Sequence, residues 1–210
     1  YNAFAVDPTL REALDLADAG WAESHVSELG EKVGSAAWVA KARAANEHKP
    51  VLATHDRFGR HVDVVEYHPS YHELMRLSLE SGVASLCWDH GDRPGAHSAR
   101  AALMYLMYQL EQGHGCPTTM TFAAVPALST TAAVANEWVP KIVDAPSYDG
   151  RDGPNKSSGV TIGMSMTEKQ GGSDVRANTT RAYPVGAEGP GELYELVGHK
   201  WFMSAPMCDA

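Results

Sequence analysis

The apolar residues of this chain change their spacing near residue 150, and that change limits the fold more than any other feature. Before it they recur at helical intervals, as in Leu103, Met104, Leu106, Met107 and Leu110. After it they fall into short runs separated by Gly- and Pro-containing turns, the pattern of strands. Helices first and strands after predicts segregated α and β parts, an α+β chain without βαβ alternation. The predicted division is a mostly helical domain over 1–150 and the opening strands of a β domain over 151–210.

Within the first part, Asp7-Pro8 is a helix start, with Asp able to cap and Pro preset for the first turn, and the helix is expected to reach about Ala19. Further helices are predicted over Trp21 to Leu29 and Ser35 to Ala45, split near Gly30 and Gly34. Val51 to Thr54 and His61 to Val65 flank Asp56-Arg57-Phe58-Gly59 and read as a hairpin. Helical spacing returns over Pro69 to Glu80, Val83 to His90 and Gly95 to Gln112, then over Thr118 to Asn136 with an interruption at Pro126. Asp144 to Ser158 is rich in Asp, Gly, Pro and Ser and reads as a loop. Strands are predicted over Gly159 to Met166, Thr179 to Tyr183, Leu193 to Val197 and Lys200 to Ser204.

Composition excludes several function classes. The chain has no apolar run of about 18 residues and no basic-then-apolar leader, so no membrane span is expected and a cytoplasmic location is. Cys87, Cys116 and Cys208 are odd in number and widely spaced, which defines neither a disulfide framework nor a zinc site. With 17 Lys and Arg against 26 Asp and Glu, the net charge of −9 opposes binding to the phosphates of nucleic acid. Neither a Gly-x-Gly-x-x-Gly after a strand nor a Walker-type phosphate loop occurs.

The segment with most chemistry is Gly163-Met164-Ser165-Met166-Thr167-Glu168-Lys169-Gln170-Gly171-Gly172-Ser173-Asp174-Val175. An apolar run that reads as a buried strand (Val160, Ile162, Met164, Met166) breaks there into a Gly-Gly turn. Two hydroxyls, Thr167 and Ser173, and the carboxylates of Glu168 and Asp174 flank backbone N–H groups that glycine leaves open to a phosphate or ring edge. The same residues also make an ordinary surface turn. A second run, Leu196 to Ser204, has period-2 spacing that sets Phe202 and Ser204 on one face, with Trp201 on the other.

Other clusters carry less. Glu66, His68 and His72 lack the spacing of a metal motif, so no metal site is expected. Asp89, His90, Asp92 and Arg93 sit in a loop entering a helix, where such residues cap. Cys116 has His114 two residues away, a spacing that does not aim a base at a thiol.

The two glycine-bearing segments together resemble the flavin site of the acyl-CoA dehydrogenase family. The likeness rests on Thr167-Glu168 with Gly172-Ser173-Asp174, and on Gly198-His199-Lys200 with Phe202-Met203-Ser204. Within that family the chain is similar to the AidB-type alkylation-response flavoproteins, through Met166 to Val175, Asn178 to Arg181, Gly198 to Phe202 and the upstream Cys116 to Ala124. The resemblance implies FAD as cofactor, contacted by Met164, Ser165, Met166, Thr167, Gly172, Ser173, Phe202, Met203 and Ser204, with Thr121 close to the flavin.

Thr167 would meet the pyrimidine edge of the ring, Ser173 the pyrophosphate and Ser204 the N5 edge, while Phe202 packs on the ring system in place of the family's more usual Trp. The implied fold is an N-terminal helical domain followed by the start of a β-barrel or β-sandwich middle domain, with the C-terminal helical domain absent from this chain. The implied chemistry is α,β-dehydrogenation of an acyl-CoA, weak or restricted in the AidB type, with a catalytic base expected beyond Ala210. The alternative it raises is a DNA-protecting flavoprotein whose turnover is incidental, with duplex DNA bound only through the missing C-terminal region. A homotetramer is implied as well. A scaffold without cofactor is the reading left if the Gly-Gly segment is only a turn.

Overall fold

Asp7 and Pro8 act together at the start of the first helix. The Asp7 carboxylate accepts the Leu10 N–H at 3.0 Å, and α1 runs over Pro8–Leu16. A computed structural model describes residues 1–144, 147–150 and 159–210. After a short 3₁₀ turn come α2 (Glu23–Val33) and α3 (Ala36–Glu47), the latter capped by Ser35. The hairpin β1 (Val51–His55) and β2 (His61–Glu66) pairs antiparallel, with Val51 opposite Glu66. Four more helices and a one-turn segment follow: α4 (Pro69–Glu80), α5 (Leu86–Asp89), α6 (Ala96–Leu110), α7 (Gly115–Leu128) and α8 (Ala132–Val143). A second antiparallel ribbon, β3 (Arg181–Pro184) with β4 (Tyr194–Val197), lies in the last third.

The main core gathers Phe4, Leu14, Val26, Leu74, Leu103, Leu106 and Met107 from the N-terminal segment and from α1, α2, α4 and α6. Helix α6 lies at its centre. A second cluster joins the two parts of the chain, since Val160 and Ile162 pack against Ala124 and Val125 of α7 and Ile142 of α8. This packing seats the start of the 163–175 segment on the helices. The buried Asp209 strengthens it by accepting the backbone N–H of Thr161 at 2.8 Å.

Several expectations are corrected. Helix α2 does not stop at Gly30 but continues to Val33, because Gly30 faces the N-terminal segment: a Cβ there would lie 2.8 Å from the Phe4 nitrogen. Glycine at this place permits close packing and does not break the helix. Thr118 to Asn136 is two helices, α7 and α8, separated at Ser129–Thr131, and α8 extends to Val143. Pro126 does not end α7. It cannot donate to the Phe122 carbonyl, and Trp88 Nε1 fills that acceptor at 3.1 Å. Of Val83 to His90 only Leu86–Asp89 is helical, since Gly82 turns at φ +79° and holds residues 81–85 in turns.

The run 159–166 forms no regular strand: Met164 bridges Ser204, and the backbone of Thr161 and Gly163 bonds to that of Asp209 and Ala210. Burial also fades along it, so Val160 and Ile162 are buried whereas Met166 is exposed. Of the predicted loop, residues 145–146 and 151–158 lie outside the described residues. Tyr148 packs down on α4, with its hydroxyl 2.8 Å from His72 Nδ1 and its carbonyl accepting Arg76 Nε.

Candidate functional site: a glycine turn and an exposed aromatic strand

The two segments singled out by sequence lie side by side. Met164 N and Ser204 N each donate to the other's carbonyl, at 3.3 and 3.1 Å, and Trp201 N donates to Thr167 O at 2.8 Å. These contacts define one antiparallel register. Between them, Glu168 and Gly171 exchange backbone hydrogen bonds of 2.8 and 3.1 Å and close a tight turn. Gly172 then passes close to Thr167, where an added Cβ would sit 3.1 Å from Thr167 Cγ2. The result is a cleft of about 700 Å³ bordered by Thr167, the Gly171–Asp174 turn, Trp201 and Phe202.

What the cleft offers is unusual for a surface turn. The hydroxyls of Thr167 and Ser173 in the cleft make no side-chain hydrogen bond to any described residue and are available to a ligand, as is that of Ser204, which lies outside the cleft lining, opposite Met164. Phe202 is 64% exposed and is not part of a core, and Met166, Trp201 and Met203 are exposed near it. A contiguous apolar surface beside free hydroxyls is the usual sign of a binding site. The chain bends at Trp201, which ends the strict alternation expected there, so Trp201 and Phe202 border the same cleft, their rings edge to face.

Two predicted site residues use their hydroxyls internally. Ser165 Oγ donates to Phe202 O at 2.7 Å, which leaves its backbone for any ligand contact. Thr121 is fully buried: its Oγ1 donates to Pro117 O at 2.7 Å and accepts Ile162 N at 2.9 Å. It ties α7 to the segment entering the turn and does not present a polar group to the cleft.

Glu168 is the residue whose importance sequence reasoning did not reach. Only 3% exposed, its carboxylate accepts Thr179 N (2.6 Å), Thr179 Oγ1 (3.1 Å), Thr180 N (3.1 Å), Thr180 Oγ1 (2.5 Å), Gln170 Nε2 (2.7 Å) and Lys200 Nζ (2.9 Å). The Thr179 amide, the Thr180 hydroxyl and the Lys200 ammonium hold it far below the usual carboxylate range, against the opposing effect of burial. It is therefore an anion and not a proton carrier. The sequence signal, an acid beside Thr167 and a lysine in the partner strand, was present but did not reveal their contact.

A second cleft of about 400 Å³ opens beside the N-terminal end of α7, lined by Tyr67, Tyr71, Glu111, Cys116, Pro117 and Met207. Burial, with Tyr67, Tyr148 and Cys208 adding to it, pushes the Tyr71 phenol well above its ordinary range. Glu111 Oε2 lies 2.6 Å from His114 Nδ1, and His114 Nε2 lies 2.7 Å from Ser78 Oγ, all three residues buried. His114 is thus turned inward while Cys116 is exposed, and the two do not form a nucleophile and base. Among the described residues no three His, Cys, Asp or Glu side chains gather as a metal site. His68 caps α4 by accepting Ser70 N. No helix of the described residues is long and apolar enough to cross a membrane.

A helical N-terminal part, followed by the first strands of a sheet that carry this turn, is the architecture of the acyl-CoA dehydrogenase class. The N-terminal-domain profile of the adaptive response protein AidB matches residues 1–150. AidB of Escherichia coli (strain K12) is 41% identical over the whole chain, which spans 38% of that protein. Acyl-CoA dehydrogenase family member 11 of Caenorhabditis elegans is 28% identical over the whole chain, which spans 33% of it. Among solved structures, the apo-form of Bd2924 aligns with a TM-score of 0.81 at 27% identity, covering 99% of this chain and 41% of the other. The crystal structure of C. elegans ACDH-11 in complex with C11-CoA aligns at 0.78 and 28% identity, covering 100% of this chain and 35% of that one. The chain belongs to the AidB family of acyl-CoA dehydrogenases.

Proposed function

We propose that this chain supplies flavin-binding residues of an FAD-dependent, AidB-type oxidoreductase acting on acyl-CoA thioesters. The observation that carries the reading is the convergence of the unpartnered Thr167 and Ser173 hydroxyls and the exposed Phe202 ring on one preformed cleft. An isoalloxazine needs an apolar face and fixed donors at its polar edge, and a pyrophosphate needs hydroxyl and backbone N–H donors. The residues present fit both needs.

In this reading Thr167 binds the pyrimidine edge, Ser173 the pyrophosphate, Phe202 the ring face and Ser204 the N5 edge. Met164, Met166 and Met203 add apolar contact, while Ser165 and Gly172 contribute backbone. When bound, FAD would supply the redox chemistry as the hydride acceptor of an α,β-dehydrogenation, with the α proton going to a base. The chain's own part is to bind, orient and stabilise: a fixed donor at Thr167 favours the negative charge of reduced flavin. Glu168 is excluded as the base because its carboxylate is buried and fully hydrogen-bonded, so we assign the base to residues beyond Ala210.

An acyl-CoA substrate class is supported by the ACDH-11 complex with C11-CoA. The division into a helical domain over 1–150 and a β domain over 151–210, a cytoplasmic location and a homotetramer belong to the same proposal.

The test is a preparation of the complete protein, expected to be yellow with releasable FAD, mixed in stopped flow with a panel of acyl-CoA thioesters. Slow or selective bleaching of the flavin is expected. Protein that is colourless and takes up no added FAD overturns the reading. Rapid, complete bleaching by one thioester would instead make it an ordinary dehydrogenase. The match to an adaptive response protein favours a second reading, a flavoprotein of the DNA alkylation response that protects DNA and turns over only incidentally. DNA protection by a variant unable to bleach with any acyl-CoA would favour it.

A further inference from the structure

We propose that Glu168 is the positioning residue of the flavin turn, the buried anion that sets the shape on which Thr167 and Ser173 are presented. The inference rests on the flavin reading above and concerns how the site is built. Glu168 follows Thr167 directly, and neighbours in an extended segment point to opposite sides. Thr167 faces the cleft, and Glu168 turns inward. There its carboxylate joins three pieces of chain: its own turn through Gln170, the approach to β3 through Thr179 and Thr180, and the second site strand through Lys200. Asn178 Nδ2 adds a bond to Met166 O at 2.7 Å, and Lys200 Nζ reaches the same carbonyl. The backbone on both sides of Thr167 is thereby held without using the hydroxyl of Thr167 or of Ser173.

Only an anionic carboxylate suits this place. It accepts at both oxygens, whereas a Gln amide of the same shape would aim two N–H groups at threonine amides and an ammonium that themselves donate. Leaving buried donors unmatched costs more than the lost bond alone. The predicted result of Glu168→Gln is a turn that no longer holds Thr167 and Ser173 in one geometry, in a protein that otherwise keeps its helical core.

The experiment compares the complete wild-type protein with E168Q, using Gly30→Ala as a control that disturbs the packing of α2 on the N-terminal segment and touches no residue of the cleft. FAD is stripped and titrated back by fluorescence, and the loaded proteins are compared by flavin absorbance and reduction potential. E168Q is expected to bind FAD at least about tenfold more weakly, to show a displaced flavin band and potential, and to exchange the amides of residues 167–174 faster in the FAD-free state. G30A is expected to keep the wild-type affinity, band and potential. If E168Q does not fold, Thr180→Val removes one hydroxyl donor to Glu168 and is expected to weaken FAD by about threefold, roughly half the logarithm of that tenfold loss. Wild-type affinity and spectrum in E168Q, or in T180V where E168Q is unfolded, overturn the inference alone. Equal losses in G30A and the Glu168 variant overturn it as well, since the effect would then be general instability. A wild-type protein that takes up no FAD overturns the proposed function and this inference with it.

Discussion

Ser173 and Glu111 show how differently two polar residues act when one is exposed and the other buried. Ser173 stands free at the rim of the cleft, so Ser173→Ala should leave folding unchanged and remove one charge-assisted bond to a phosphate, about 1.5–3 kcal/mol. FAD titration reads this as a Kd raised by roughly tenfold or more, and an unchanged Kd would return Ser173 to the role of a turn residue. Glu111 is the opposite case. Burial raises its carboxyl, but the His114 ring and the Gly113 and His114 amides outweigh burial and hold it at about 2, below its ordinary 4.5.

A folded-state value below the unfolded one means that the stability Glu111 confers is complete above about pH 4.5 and is lost as pH falls towards 2. Glu111→Gln, which leaves His114 with a poorer partner, should cost about 1–3 kcal/mol at neutral pH. Urea midpoints measured down a pH series should show the wild type and variant converging on the acid side, and parallel curves would remove Glu111 from the account.

At the scale of elements, what decides is which face of a helix meets which neighbour. Gly30 looks like a breaker in the linear chain and is a packing residue in the fold. Gly30→Ala should therefore destabilise the protein by about 1–3 kcal/mol despite the better helix propensity of alanine, because the new methyl presses on the Phe4 backbone. Thermal unfolding checks this, and a raised midpoint would show that the N-terminal segment moves aside freely. The ribbons behave differently from the helices. Leu196 of β4 and Leu52 of β1 are exposed, each on a two-stranded ribbon. Strand positions were legible from alternation for β1 to β4, whereas the pairing of 164–167 with 201–204 was not, because so few residues of each run form ladder bonds.

For the whole molecule, charge sets the prediction. The chain carries 17 basic residues against 26 acidic ones, and Lys200, one of the denser basic positions, is already engaged by Glu168. Residues 1–210 alone should not bind duplex DNA in an anisotropy titration at about 50 mM salt, the condition that favours counterion release. Affinity equal to that of the complete protein would place a DNA surface within residues 1–210.

The order of helices before strands, the cap at Asp7, and the glycine turn with its two hydroxyls were all determined by the sequence itself, because each depends on residues within a few positions of one another. Tertiary structure alone decided that Thr121 bonds to Ile162, 41 residues away, and that Glu168 meets Thr179, Thr180 and Lys200, at separations of 11, 12 and 32. Period and spacing record which way a side chain points from its own element. They do not record which distant donors converge on it, and a buried carboxylate is stable only where they do.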